Sequence, residues 1–113
     1  MTEMFAQGDL LIERVDDIQP SGTIVAADQT GATVLAEGEF TGHRHAIFDR
    51  VTMFREDTLA RDIPSGLYVG HVKVEGSAVI QHQEHAPIML ADGTYRVRRQ
   101  RELEPKDATL VSD

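Results

Sequence analysis

The sequence predicts a small all-β domain, folded as a barrel or a sandwich. Short runs rich in β-branched and aromatic residues recur along the chain, and turn-forming glycines and prolines separate them. No window of about eleven or more residues keeps the periodicity of an amphipathic helix. Many short strands at regular spacing, joined by tight turns, are typical of barrels and sandwiches.

Length and composition predict one folded domain. The chain has 113 residues, of which 41% are hydrophobic and 27% are charged, so its composition is that of an ordinary globular protein with a core. We expect a single β domain over residues 1–103 and a loosely held polar tail over residues 104–113. The sequence has no cysteine, which excludes disulfides and thiolate metal sites.

Charge and hydropathy narrow the range of partners. A formal net charge of -8 disfavours general binding to nucleic acids and to anionic membranes. No stretch reaches the roughly 18 apolar residues of a membrane span. The first residues lack the basic opening of a signal peptide. We therefore predict a cytoplasmic protein with no membrane partner.

The first half of the chain contains predicted strands and one ambiguous segment. The strands are LLIERV (10–15), TIVAA (23–27), ATVLAE (32–37) and FTGHRHAIF (40–48). The turn sequence DQTG between the second and third strands predicts that they form a hairpin. Residues 48–63 predict either a short helix near 50–62 or a long loop.

The second half contains more strand-type runs, separated by turn sequences. They are LYVGHVKVE (67–75), SAVIQH (77–82), PIMLA (87–91) and TYRVRRQRE (94–102). The first run alternates with a period of two, so that Tyr68, Val72 and Val74 share one face. His71 stands alone on the opposite face, where we expect a packed or a surface histidine.

Two close pairs of histidines suggest chemistry. His43 and His45 are two residues apart in a predicted strand, so both side chains point to the same face, about 6.6 to 7 Å apart. His82 and His85 are three apart, a spacing that a bend provides, and Pro87 prevents a helix from continuing there. Neutral imidazoles in such pairs are good ligands for transition metals.

We therefore predict one divalent transition metal, Zn, Fe, Ni or Mn, bound through the histidine pairs. Asp49 would complete the ligand shell. Glu84 lies between the second pair and would act as a ligand, as a partner for an imidazole N–H, or as a general base. Glu39 is another nearby carboxylate. An open coordination position would make the protein a metal-dependent enzyme of unnamed substrate, whereas polar surface histidines are the alternative interpretation.

The stretch GEFTGHRHAIFD (38–49) resembles the first motif of the cupin family, in which a glycine precedes HxH and an acidic residue follows. Gly38 and Asp49 take these two places, although the spacing after Gly38 is one residue short and aspartate replaces the usual glutamate. The resemblance implies a transition metal held inside a small β-barrel. The second cupin motif is not matched, because Arg96 stands where its histidine belongs. The order of QGD, GHRH, EHAPI and QRE also looks like that of small uncharacterised bacterial and phage proteins.

Two further interpretations remain open. In the first, the chain is a non-catalytic β module that forms a homo-oligomer or binds a protein through an edge strand, and the histidines lie at the interface. Arginines near the end of the sequence are the only candidates for phosphate or nucleic-acid contact: Arg96, Arg98, Arg99 and Arg101. A charged edge strand that resists sheet-to-sheet pairing explains the same arginines.

Overall fold

A computed structural model describes residues 3–37 and 42–100 and shows an all-β protein, as predicted. Its strands are β1 (Met4–Gln7), β2 (Leu10–Arg14), β3 (Thr23–Val25), β4 (Thr33–Glu37), β5 (Arg44–Ile47), β6 (Val51–Arg55), β7 (Tyr68–Gln81) and β8 (Ile88–Arg99). Short 3-10 helices cover Asp57–Ala60 and Ser65–Leu67. Gly38, Glu39, Arg101 and the predicted tail 104–113 lie outside the described residues. None of the helical segments that the structure describes is long and apolar enough to cross a membrane.

The long antiparallel hairpin of β7 and β8 is the centre of the sheet. β2 pairs with the outer edge of β8, and β1 pairs with β2. The other edge of β7 is shared by two strands. β6 pairs near its beginning, where Val51 faces Val74, and β5 pairs near its end, where Ile47 faces Ile80. β3 then joins β6 and β4 joins β5, so the sheet forks on this side.

The sheet does not close into a barrel, which corrects one of the two predicted architectures. Over residues 3–37 and 42–100, no strand pairing connects β1 with the forked edge. The two branches pair with different parts of β7, β6 with residues 71–74 and β5 with residues 80–81. The sheet still curls: the Gln7 side chain at the end of β1 donates a hydrogen bond to the carbonyl of Ile80 on β7 at 3.1 Å. The curl brings the β1–β2 turn over the end of β7.

The predicted hairpin between β3 and β4 is wrong, although its turn forms. The Asp28 carboxylate accepts hydrogen bonds from the backbone N–H groups of Thr30 and Ala32 at 2.8 and 3.0 Å, which fixes the turn locally. β3 nevertheless pairs with β6 and β4 with β5. The turn holds itself through Asp28, so it does not require the flanking strands to be partners.

Two predicted turns lie inside long strands. Residues 75–77 form an irregularity within β7, and residues 91–93 continue β8. Gly76 has a φ of 93°, in a region that favours glycine, and its N–H donates to the Asp92 carboxylate at 2.8 Å. Glycine therefore marks a bend that both strands share here, instead of a chain reversal.

Residues 48–63 also differ from the prediction. Val51–Arg55 is a strand, and only the 3-10 turn over Asp57–Ala60 is helical. The main core lies on the inner face of the curled sheet and includes Leu10, Ile12, Ile47, Val72, Ile80, Tyr95 and Val97. The alternation predicted for β7 holds for Val72 and Val74, which are buried in this core, but it is wrong for Tyr68. A register shift between Tyr68 and Gly70 turns Tyr68 to the other face, where it packs with Ala60 and Ile63.

Arg61 is strained, and its replacement by glycine is expected to stabilise the fold by about 1 kcal/mol. Its φ of 59° with ψ of -114° is a conformation that suits glycine. Its ion pair with Asp17 is long, at 3.9 Å, and both side chains are exposed, so little is lost with the guanidinium. Urea unfolding of Arg61→Gly beside Arg61→Ala tests this. The alanine variant removes the same charge but keeps Cβ, so an equal gain in both variants would argue against strain.

Candidate functional site

The four paired histidines form one cluster at one end of the sheet. His43 and His45 lie at the start of β5, and His82 and His85 follow the end of β7. Because Ala46 of β5 faces Gln81 of β7, the two pairs become neighbours. Ring centroids are 4.4 Å apart for His45 and His82, 4.4 Å for His82 and His85, 5.6 Å for His43 and His82, and 6.2 Å for His45 and His85.

Gln7 fixes which nitrogen of His45 carries the proton. The Gln7 side-chain NH2 donates to the carbonyls of Ile80 at 3.1 Å and Ala86 at 2.8 Å, which orients its Oε1 toward His45. That oxygen lies 2.8 Å from His45 Nδ1 and can only accept, so Nδ1 is the donor. The lone pair of the neutral ring is therefore on Nε2.

The environment of His45 keeps the ring neutral. Its side chain is buried, and burial lowers the pKa of His45 from 6.5 to about 4, with His82 adding to the shift. The Asp9 carboxylate opposes this shift from 3.8 Å away, measured from His45 Nε2 to Asp9 Oδ1. A lone pair and a carboxylate oxygen thus face each other, and a cation between them would interact favourably with both.

Gly8 keeps the space beside two of the rings open. It follows Gln7 in the two-residue turn between β1 and β2, with a φ of 59°. A Cβ at this position would lie 3.0 Å from His85 Nε2 and 3.1 Å from His45 Cε1. A side chain here would therefore fill the gap between His45 and His85.

His82 holds the bend that carries His85. Its Nδ1 accepts hydrogen bonds from the backbone N–H groups of Glu84 at 3.0 Å and His85 at 3.2 Å. This places the proton of the neutral ring on Nε2. Burial lowers the pKa of His82, and the neighbouring His85 and His43 rings lower it further. The expected bend over residues 83–85 is present.

The predicted carboxylates occupy different positions. Glu84 is beside the cluster, where its Oε1 lies 2.9 Å from His43 Nδ1. The Asp49 carboxylate accepts a hydrogen bond from the Val79 N–H at 2.8 Å, which commits one of its oxygens to the backbone of β7. Asp9 stands closest to His45 and is held on its other side by Arg99 at 2.6 Å.

The donor atoms of the cluster are not arranged to coordinate a metal ion in this conformation. Within the described part of the chain, no three donor groups of His, Asp or Glu are arranged to hold an ion. The reason is the direction of the nitrogens: His82 Nδ1 faces two backbone N–H groups, and His43 Nδ1 faces Glu84. An ion bound here would require the donor groups to move closer together, and His82 would join them only after its ring turned about χ2.

The remaining predicted residues are engaged in other contacts. Arg96 forms a close ion pair with Glu13 at 2.7 Å, and Arg99 is paired with Asp9, so carboxylates already engage both side chains. The Arg98 side chain donates to the carbonyl of Arg99 at 3.3 Å. His71 is packed in the interior, and its Nδ1 lies 2.8 Å from the Tyr68 hydroxyl.

Gln7 and Asp9 are site residues that the sequence interpretation missed. Both belong to QGD at 7–9, which the sequence indicates only as a turn. Gln7 and His45 are 38 positions apart, and nothing in the local pattern of either segment indicates that they meet.

Comparison with known proteins gives one family. A family model described as "Domain of unknown function (DUF8820)" matches residues 6–100. No curated protein and no solved structure matches the chain.

Proposed function

The chain belongs to the DUF8820 family, and we propose that it binds one divalent transition metal through the histidine cluster. The observation that carries the proposal is the contact between Gln7 and His45, which leaves a lone pair on His45 Nε2. A hydrogen bond to the far nitrogen is how proteins orient metal-binding imidazoles. The lowered pKa of His45 supports the same role, because a protonated ring cannot bind a metal.

The proposed ligands are the imidazoles of His45 and His85, which flank the gap at Gly8, and the Asp9 carboxylate beside them. His82 joins this set when its ring turns, and His43 stays with Glu84 at the edge. Imidazole and carboxylate donors suit Zn, Fe, Ni and Mn. Asp49, which the cupin resemblance suggests as the acidic ligand, has one oxygen engaged by the Val79 N–H. The cupin relationship itself stays a prediction.

An ion with an open coordination position would polarise a substrate oxygen or activate a bound water. Glu84 lies at the exposed edge of the cluster, beside His43, and would be the general base in such a reaction.

The second candidate function is an assembly or protein-binding module in the same predicted cytoplasmic setting. Met4 on β1 and Ile24 on β3 are large apolar side chains left exposed on strands that, within the described residues, each have one partner strand. Edge strands of this kind recruit further strands. Sedimentation of the protein separates the two candidates, because metal binding to a monomer leaves the mass of the particle unchanged.

The test is metal content of the untagged protein, measured by elemental mass spectrometry after incubation with Zn, Fe, Ni and Mn and removal of free ions. About one equivalent of one metal is expected in the parent protein, and little in the His43→Ala/His45→Ala double variant. His71→Gln is the matched control, since it removes a buried histidine away from the cluster. No bound metal in the parent, or equal metal in the double variant, would contradict the proposal.

A further inference from the structure

An open cavity of about 280 Å³ adjoins the histidine cluster. Its lining residues come from β5 and the end of β7: Arg44, Ala46, Phe48, Gln81, His82 and Gln83. His82 is the shared wall, since its ring also packs against His45 and His85. Anything bound in the cavity would therefore lie beside the candidate metal ligands.

Arg44 presents a fixed positive charge to this cavity. Its Nη1 is held at 2.7 Å by the Asp28 carboxylate. Asp28 is itself rigid, because its other oxygen accepts hydrogen bonds from Thr30 and Ala32. A guanidinium carries five N–H donors in a planar fork, and an ion pair with one carboxylate oxygen uses only part of them. Arg44 is thus positioned in advance for a second anion.

The rest of the lining is partly apolar. Phe48 is 52% exposed, which is unusual for a phenylalanine, and Ala46 is buried. Gln81 and Gln83 add amide groups, and the Gln83 Oε1 accepts from the Arg44 backbone N–H at 2.9 Å. The cavity therefore combines a cation, an apolar ring and amide groups in a small volume, as small-molecule sites do.

We propose that this cavity binds a small organic anion, with its carboxylate or phosphate group on Arg44 and its apolar part against Phe48. The volume lies just below the roughly 300–1,000 Å³ of sites for drug-sized ligands, which limits the ligand to about the size of benzoate. We assign this anion as the substrate of the metal site, a role that rests on the proposed function. From the cavity it would reach the ion past His82.

The test is a titration of isotopically labelled protein with benzoate, phenyl phosphate and acetate, followed by NMR. Benzoate is expected to shift the amide signals of Arg44 to Phe48 and of Gln81 to Gln83, and to bind more tightly than acetate, which lacks the ring. Phenyl phosphate beside benzoate identifies the preferred anionic group. No shifts at these residues, or equal affinity for acetate and benzoate, would overturn the proposal.

Variants assign the contacts. Arg44→Gln is expected to weaken benzoate binding about fivefold through loss of the charge-assisted contact, whereas Arg50→Gln, an exposed arginine outside the cavity, is expected to change nothing. Phe48→Ala weakens benzoate more than acetate and leaves the Arg44–Asp28 pair in place. Unchanged benzoate affinity in both Arg44→Gln and Phe48→Ala would overturn the proposal.

Metal-free and zinc-treated samples separate this inference from the proposed function. Benzoate binding to metal-free protein depends on the cavity alone, so it supports the inference even where zinc fails to bind. Zinc uptake without any benzoate shift would support the metal site and refute the anion site. Tighter benzoate binding in the zinc-treated protein than in the metal-free protein would support the placement of the anion beside the ion.

Discussion

Gln7→Met is expected to weaken metal binding about 10- to 100-fold, the usual cost of removing a hydrogen-bond partner of a metal-binding histidine. The Gln7 side chain is buried, and methionine has a similar length without hydrogen-bonding groups. In the variant, no acceptor faces His45 Nδ1, so the proton is free to move to Nε2. When the proton is on Nε2, the lone pair of His45 is on Nδ1, and Nε2 can no longer bind the metal.

Zinc affinity, measured by competition with a chelator, gives the size of the effect, and nitrogen NMR of the imidazole rings gives its cause. The parent protein should show His45 protonated on Nδ1 in the metal-free state, and Gln7→Met should show a mixture of tautomers. Gln7→Glu keeps an acceptor for Nδ1 and should recover much of the affinity. Thr94→Val, which also removes a buried polar group from a strand, is the control. Parent-like affinity and an unchanged tautomer in Gln7→Met would contradict the assigned role.

The strand pattern could be predicted from the sequence where one face of a strand is buried. The alternation predicts the buried face of β7 from Gly70 to Val74, since each inward position there is apolar, and it fails at Tyr68, where the register shifts. β1 was missed because its four residues, MFAQ, carry no comparable signal. Its place is set by the tight turn at Gly8 and by pairing with β2, both of which depend on the folded chain.

Glycine is the reason that some turns were predicted wrongly. Gly76 and Gly93 lie in sequences that are typical of turns, but both occur in the shared bend of β7 and β8. A glycine with positive φ serves a chain reversal and a bend equally well, so the residue alone does not separate them. Here the glycines lie in a bend because β7 and β8 pair with each other on both sides of them.

The site could be predicted only in its local parts. The spacing of His43 and His45 indicates a shared face, and Pro87 indicates the bend after His82. The meeting of the two pairs depends on β5 pairing with the end of β7. Asp49 was chosen because it follows HxH closely, whereas Asp9, far away in the sequence, approaches His45 because the sheet curls.

His71 is expected to make the protein lose stability as the pH falls. The ring is 0% exposed, stacks on Phe54 and contacts the Tyr68 hydroxyl. In the part of the chain that the structure describes, its Nε2 has no hydrogen-bond partner. Burial, together with the charges of Arg96 and Arg61, lowers the pKa of His71 from 6.5 to about 4.

The direction in which the free energy of unfolding changes with pH follows from proton binding. Well above pH 6.5, His71 is neutral in the folded and the unfolded chain, so it adds no pH dependence. As the pH falls from 6.5 toward 4, the unfolded chain takes up a proton that the folded chain refuses, and the free energy of unfolding decreases. The full difference between the two pKa values corresponds to about 3 kcal/mol, most of which is lost by about pH 4.5.

Urea unfolding of His71→Gln at about pH 7 and about pH 4.5 isolates this contribution. The variant is expected to be less stable than the parent at the higher pH, because the stacking on Phe54 is lost. Its stability should then fall by about 2.5 kcal/mol less than that of the parent between the two conditions. Thr94→Val, which has no titrating group, should keep the parent's pH dependence. If the free energies of His71→Gln and the parent run parallel, His71 takes up its proton in the folded protein, and its burial does not control acid stability.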